Sequence, residues 1–540
     1  MELFKVLTSL NKSTIFLGCI GAWLCQCYLV NALPEVADEA YYTRWGELLS
    51  WGYFDHPPAV ALWAKLGGRY LNLLLLPLAW LNFSWSAQKL GSKVHQEQLL
   101  LVAWCTPLGL ASGVLVTPDA PLLFSWSIAL LGLAHKSVLL CIMGFTLGLW
   151  SKAMILPAML GLLWLWWTDE NTSRKKRRLQ VLLISLVSFA LYTPHLIWSF
   201  HHHWLPWQFQ MSRPRQGLAI FDFLGGQLAV GGGLWFIYLV ILYYIYVFHL
   251  TFQKNPQVTY QWKKLKLSSG SPTQMRNWWW LSAPSFFPWL LLSLVGKVEA
   301  NWTALAWPIG LVWVLESVNT LAQKKAFLVS LCFTIPCLCL PLIHHFIPLS
   351  WGPPRDGKEL AKCLESISRK ENKNLWLLGR YQEAALLGLS LKNTWKSVAL
   401  NNDQFLRTDL ATNDQLKSLI LVYLRGWERR SSQYDLMQGQ NLFSSKGVTH
   451  KEPNETLATL ALETAFAKLP APHLATIRKN DLFSNGHDLE LDTKPSLLCH
   501  ALWLGPSQWA SGYCPSTATK EFNDQTCQLT ISSCQCLIAD

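Results

Sequence analysis

The chain has 540 residues, 51% of them hydrophobic and only 14% charged, with 30 tryptophans and a mean hydropathy of +0.21. That balance favours an integral membrane protein over a soluble enzyme. The formal net charge of +12 does not point to nucleic acid: residues 1–350 hold 24 Lys and Arg against 13 Asp and Glu, and the remainder 21 against 20. The excess therefore belongs to the apolar part, where the positive-inside rule accounts for it.

The first apolar run, 14–33, is of spanning length and follows Lys5 and Lys12. A cleaved signal peptide is the rival reading, with Val30-Asn31-Ala32 as the cleavage site. Either way residues 34–68 lie outside. Further runs follow at 69–86, 97–117, 120–134, 137–151, 153–168, 179–200, 223–250, 277–296, 302–320 and 326–348, several of them short enough to be re-entrant or tilted. Threaded as about eleven spans from an inner N-terminus, they leave 17 of the 24 basic residues inside, among them the run Arg174 to Arg178, and seven outside. That asymmetry sets the orientation and sends the C-terminal part to the outer side.

The first outer segment holds Asp38, Glu39, Arg44, Glu47, Asp55 and His56 between Ala37 and Pro58. Ionisable groups so close to a bilayer carry a solvation cost and call for a function. Tyr41, Trp45, Leu48 and Leu49 fall at helical spacing, which predicts a short amphipathic helix on the bilayer surface. The other outer segments are Thr117 to Pro121, the Ser151-Lys152 break, His201 to Gly217 and Lys297 to Trp302, so acids, bases and histidines gather on one membrane face.

From residue 351 the pattern changes to that of a small α/β domain. Strands are expected at 374–379, 394–400 and 416–424, and helices at 380–391 and 461–469. The expected organisation is thus an all-α membrane domain, 1–350, followed by an outer α/β domain, 351–540. Neither a Walker loop, a GxGxxG motif nor an internal repeat occurs. Eight of the 14 cysteines sit in apolar spans. Cys363, Cys499, Cys514, Cys527, Cys534 and Cys536 lie in the outer domain, where disulfides are the expectation and zinc binding by the last four is the alternative.

Each chemical candidate has a bland counterpart. Asp38 and Glu39 suit a general base for an acceptor hydroxyl, or a helix cap and its dipole complement. Asp55-His56 suits divalent-metal ligation, phosphate binding or simple loop solvation. Asp119, in TPDAP, is a functional acid beside the bilayer or a helix N-cap. Lys152 is a cation for a lipid phosphate or a snorkelling side chain. Arg44, Arg213 and Arg215 offer bidentate phosphate contacts. His201-His202-His203 with Trp204 is a metal ligand source or an interfacial cluster. Asn301-Trp302 offers an amide and a ring to a sugar, or an interfacial anchor.

In order, DEAYY, WGYFDHPP, TPDAPLL, SK, HxxWLPWQFQ, GGQ and NW resemble the bacterial members of the GT-C superfamily related to protein O-mannosyltransferases, with the lipid A aminoarabinose transferases a more distant relation. The resemblance covers roughly residues 15–320; RYQEAALL and SSQYDL (431–436) also look like pieces of the outer domain of these proteins. It implies an inner-membrane glycosyltransferase with a periplasmic C-terminal domain, taking a sugar from a polyprenyl-phosphate donor with inversion at the anomeric carbon. The implied acceptor is an envelope glycolipid of the lipid A type, with a Ser or Thr of a secreted protein as the alternative. Asp38 is the implied catalytic carboxylate, with Glu39 its neighbour and Asp119 the second acidic motif. Lys152, after Ser151, is the implied donor-phosphate contact, with the arginines. Tyr42, His56, Gln227, Asn301 and Trp302 are the implied substrate contacts, and Asp55 and His202 the implied ligands of a divalent metal cofactor. The chain departs from the family where His203 replaces the usual Gly and Ser199 a frequent Asn. A transporter or an assembly scaffold with an ectodomain are the readings from other classes; the one-sided charge and the lack of paired halves speak against a transporter.

Overall fold

The structure is a computed structural model and describes residues 12–33, 35–47, 49–53, 55–104, 106–202, 204–211, 218–231 and 272–317, Ala385, and six short strands beyond residue 374. Up to residue 317 the described chain is a bundle of helices, as expected of an all-α domain. It divides into two compact units, one of Met1–Leu33 with Trp45–Pro341 and one of Pro34–Arg44 with Leu342–Asp540. The acid-rich first segment is thus split between them at Arg44.

The helices follow the apolar runs and stop where proline or a cap dictates. The first unit begins with α1 (Lys12–Ala32), and α2 (Ala37–Trp45) follows. Then come α3 (Ala59–Leu66) and α4 (Arg69–Lys89). The run expected over 97–117 is broken into α5 (Gln96–Trp104) and α6 (Pro107–Val114). Pro107 cannot continue a helix but suits its first position, and the Thr106 hydroxyl accepts the Gly109 N–H at 3.1 Å as the N-cap. Next are α7 (Asp119–His135), α8 (Val138–Ser151), α9 (Ile155–Trp167), α10 (Arg174–His201), α11 (Leu205–Met211) and α12 (Ile220–Gly231). The run expected over 277–296 is likewise interrupted at prolines, into α13 (Pro272–Ser282), a 3-10 turn Ala283–Ser285 and α14 (Phe287–Leu292). A second 3-10 turn, Ala300–Thr303, leads into α15 (Ala306–Ser317). The surface helix expected through Leu48 and Leu49 ends at Trp45, before Gly46, and Leu49 is exposed beyond it.

The α7–α8 hairpin is the centre of the bundle. Its turn is a left-handed Lys136 (φ 55°), with the Ser137 N–H reaching back to the Gly132 carbonyl at 2.8 Å. Small residues let the two helices touch: a Cβ on Gly144 would stand 2.5 Å from the Ala129 nitrogen, and one on Gly132 would stand 2.7 Å from the Cys141 nitrogen. Around the hairpin the core is aromatic, with Trp80, Trp126, Trp166, Trp278, Trp313 and Phe145 wholly buried.

Polar side chains tie the bundle together from within. Gln26 of α1 donates to the carbonyls of Gly109 and Leu110, both at 3.1 Å, and accepts the Trp104 indole N–H at 2.8 Å. Glu316 accepts the Lys93 N–H and the Trp278 indole, both at 2.9 Å. Arg69 donates to the carbonyls of Val30 and Leu33 at 3.2 and 2.6 Å, a cation on the C-terminal end of α1.

By length and composition α10 is able to cross a membrane, and α6 with α7 forms an apolar pair bent by 113°. Large apolar side chains nevertheless face outward on α1, α4, α9 and α10, among them Phe16, Leu74, Trp85, Leu160 and Leu186.

In the second unit β1 (Leu375–Leu378), β2 (Lys396–Ala399), β3 (Leu419–Leu424), β4 (Ala501–Leu504), β5 (Lys520–Asn523) and β6 (Gln528–Ile531) form one sheet in the order β2-β1-β3-β4-β6-β5. All pairs are parallel except β5 with β6. The first three strands lie where the sequence predicts them. The run 326–348, the helix expected at 461–469 and the six outer cysteines lie outside the described residues; Ala385, helical and buried, falls within the helix expected at 380–391.

Candidate functional site

Asp119 and Lys152 are 33 residues apart and meet because the hairpin folds them together. At 1.5 Å per residue the 17 residues of α7 and the 14 of α8 run about 25 and 21 Å from the Lys136 turn, so the first residue of one ends beside the residue after the other. The Lys152 ammonium donates to Asp119 Oδ1 at 2.9 Å, with both side chains less than a tenth exposed. The other carboxylate oxygen, Oδ2, accepts the Asn301 amide at 2.6 Å, across 182 residues. Asp119 stands at an N-terminus and Lys152 at a C-terminus, each where the helix dipole favours its charge.

This arrangement replaces two bland readings. Pro118, not Asp119, holds the N-cap position of α7, and its side chain makes no capping bond. Lys152 does not snorkel; it is buried against its acid. A buried ion pair is a weak source of stability, since desolvation offsets much of the attraction. Asn301 is exposed, so the triad reaches the surface at one point.

Asn301 is held by its neighbours. Gln227 of α12 is fully buried; its Oε1 accepts from the Thr303 hydroxyl at 2.6 Å and the Trp307 indole at 3.3 Å, while its Nε2 donates to the Ala300 carbonyl at 3.3 Å. Its amide thus fixes the 3-10 turn that carries Asn301. Trp302 is buried and meets Trp289 edge-on at 5.1 Å between ring centres.

The segment Trp45–Pro58 is pinned to α10. His195, buried, donates Nδ1–H to the Trp51 carbonyl at 2.8 Å, which fixes the neutral tautomer and leaves Nε2 to accept the Ser199 hydroxyl at 3.3 Å. Gly52 lies against the Trp198 indole so closely that a Cβ there would be 2.2 Å from the ring. Tyr53 stacks on Trp45 at 4.4 Å and donates to its carbonyl. Burial pushes the Tyr53 phenol above its ordinary range, and the Ser50 N–H partly offsets that. The Tyr53 N–H bonds the His56 carbonyl at 3.0 Å, which closes the turn holding Asp55 and His56, both half-buried. His202 is exposed; its Nδ1–H donates to the Trp198 carbonyl at 2.7 Å and its ring stacks on that indole at 3.9 Å. Among the described residues no three His, Cys, Asp or Glu converge to hold a metal ion.

In the second unit, α2 carries acids in its first turn and Arg44 in its last. Glu39 is buried, and its Oε2 accepts the Val36 N–H at 3.4 Å, one half of a capping box. Asp38 is exposed and Tyr42 is buried, 5.4 Å from Tyr41 ring to ring. Arg213 and Arg215 lie outside the described residues. The structure therefore joins Asp119, Lys152 and Asn301, with Gln227 and Trp302 behind them. His195, Arg69 and Gln26 are the positioning residues that the sequence did not single out. No family model, curated protein or solved structure matches this chain.

Proposed function

We propose that this chain is an integral membrane glycosyltransferase. It moves a sugar from a polyprenyl-phosphate donor to a hydroxyl or phosphate of an envelope glycolipid, at the periplasmic face of the bacterial inner membrane. The observation that carries the proposal is the buried Asp119–Lys152 pair with Asn301 opening it to the surface. The motif order that resembles the GT-C superfamily supports it. So do the outward leucines, phenylalanines and tryptophans, which suit a hydrocarbon solvent. The parallel strand pairs support an outer α/β domain.

The chemistry follows from the groups. The donor's phosphate departs as an anion when its bond to the anomeric carbon breaks. Lys152 has three N–H donors and gives one to Asp119, so Asp119 aims the ammonium while others serve the phosphate. The exposed Asn301 amide presents hydrogen-bonding capacity to sugar hydroxyls. Asp38, exposed on the first turn of α2, takes the proton of the acceptor hydroxyl as its oxygen attacks. Attack opposite the leaving phosphate inverts the anomeric centre.

The test is transfer by the purified full chain, with polyprenyl-phosphate sugars or nucleotide sugars as donor and total envelope lipid or unfolded secreted protein as acceptor. A glycosylated lipid formed only from a polyprenyl-phosphate sugar supports the proposal. A product formed only from a nucleotide sugar overturns it.

A further inference from the structure

At the end of the bundle remote from Lys152, cations, tryptophans and outward leucines are placed together. The hairpin turn puts Lys136 there; α9 ends there with Trp164 and Trp167 exposed, and α10 begins there with Arg174, Lys175, Lys176, Arg177 and Arg178. Four of those five are exposed, and Arg177 is half-buried, donating to the Asp169 carbonyl at 2.6 Å. The Arg178 guanidinium lies 5.5 Å from the Trp167 ring centre and the Lys136 ammonium 5.7 Å from that of Trp166. Directly beyond the cations on α10, Leu179, Leu182, Leu183 and Leu186 face outward.

Two features of this collar need an anion. First, the cations occupy the opening turns of a helix that has no acid in its first turn, so they oppose the helix dipole instead of complementing it. Second, the nearby acids are outnumbered: Asp169 is engaged by Lys136 at 2.8 Å, which leaves Glu170 as the other carboxylate of the loop beside the five cations. A ligand that satisfies both the cations and the leucines beside them has an anionic head and an apolar tail.

We propose that this collar is a binding surface for anionic phospholipid, with the headgroup phosphate on Arg174, Lys175, Lys176 and Arg178 and the acyl chains along Trp167 and the outward leucines of α10. The surface rests on the membrane insertion proposed above but not on the transferase chemistry.

The test uses the purified full chain equilibrated with mixed micelles of phosphatidylglycerol and phosphatidylcholine and read by native mass spectrometry. The wild type is expected to retain phosphatidylglycerol preferentially, and less so as salt is raised. Each exposed charge removed among R174Q, K175Q, K176Q and R178Q is expected to weaken that preference about five-fold, whereas K65Q/K297Q leaves it intact. The double variant K175Q/K176Q serves if the quadruple variant does not fold. Equal retention of both lipids, a preference unchanged in the variants, or full displacement by soluble glycerol phosphate would overturn the lipid surface alone. Failure to retain any phospholipid would overturn membrane insertion as well.

Discussion

Replacing Lys152 by Met keeps most of the apolar stem of the side chain and removes its ammonium, with the charge and the hydrogen bond to Asp119. The carboxylate of Asp119 then stays buried with the Asn301 amide as its remaining partner in the triad. Two unit charges 2.9 Å apart attract by roughly 6 kcal/mol at the effective dielectric that describes protein sites, but desolvation of both ions cancels much of this. The larger effect is the uncompensated charge left behind, which costs about 3–5 kcal/mol. Lys152→Met and Asp119→Asn should therefore each lower unfolding free energy by about that amount. The double variant should return to within about 2 kcal/mol of the wild type, because no buried charge remains. The assay is denaturant unfolding in detergent followed by tryptophan fluorescence, analysed as a double-mutant cycle. A coupling of under about 0.5 kcal/mol would mean that the two groups do not meet, and would refute the hairpin geometry.

Other contacts give sharper signs. Gly144→Ala would stabilise an open helix by up to about 1 kcal/mol; against the Ala129 backbone it should instead cost about 1–3 kcal/mol in the same unfolding assay. Gly52→Ala and His195→Phe should both release the Trp51–Tyr53 segment from α10, read as faster amide exchange over residues 49–56; unchanged exchange would show that neither contact holds it. Partial burial by itself raises the Asp169 carboxyl, but Lys136, Thr172 and Asn171 outweigh it and hold it below its ordinary value of 3.8. With the folded value depressed, its contribution is full above pH 3.8 and is lost as pH falls through the folded value. Asp169→Asn should thus destabilise the protein near neutrality and approach the wild type in acid; a pH-independent difference would contradict the pair.

The helices were largely legible because apolar runs mark them, but the runs 97–117 and 277–296 were read straight through Pro107 and Pro284, where the helices break. Asp119, Lys152 and Asn301 could each be singled out as a charge or amide beside an apolar run. Their meeting could not, since it depends on how the two helices fold back from the Lys136 turn and on glycines at the α7–α8 contact. Gln26, His195 and Arg69 were missed for a related reason. Each serves carbonyls far away in sequence, and a single polar residue in an apolar helix has no local pattern. Gln227 shows the converse: its motif marked it, yet its amide is directed inward to Thr303, Trp307 and Ala300. The extent of α2 was misjudged because the helical spacing of Tyr41 and Trp45 is continued past Gly46, where the helix stops, by Leu48 and Leu49.

The central proposal is that Asp38 acts as the base of the transfer and that Lys152 receives the donor phosphate. The most direct measurement is single-turnover release of polyprenyl phosphate by wild type and Asp38→Asn, with donor binding measured in parallel on the folded proteins. The account predicts unchanged donor affinity and a turnover lowered by about 100-fold or more in the variant. Turnover equal to the wild type in a folded Asp38→Asn protein would contradict it.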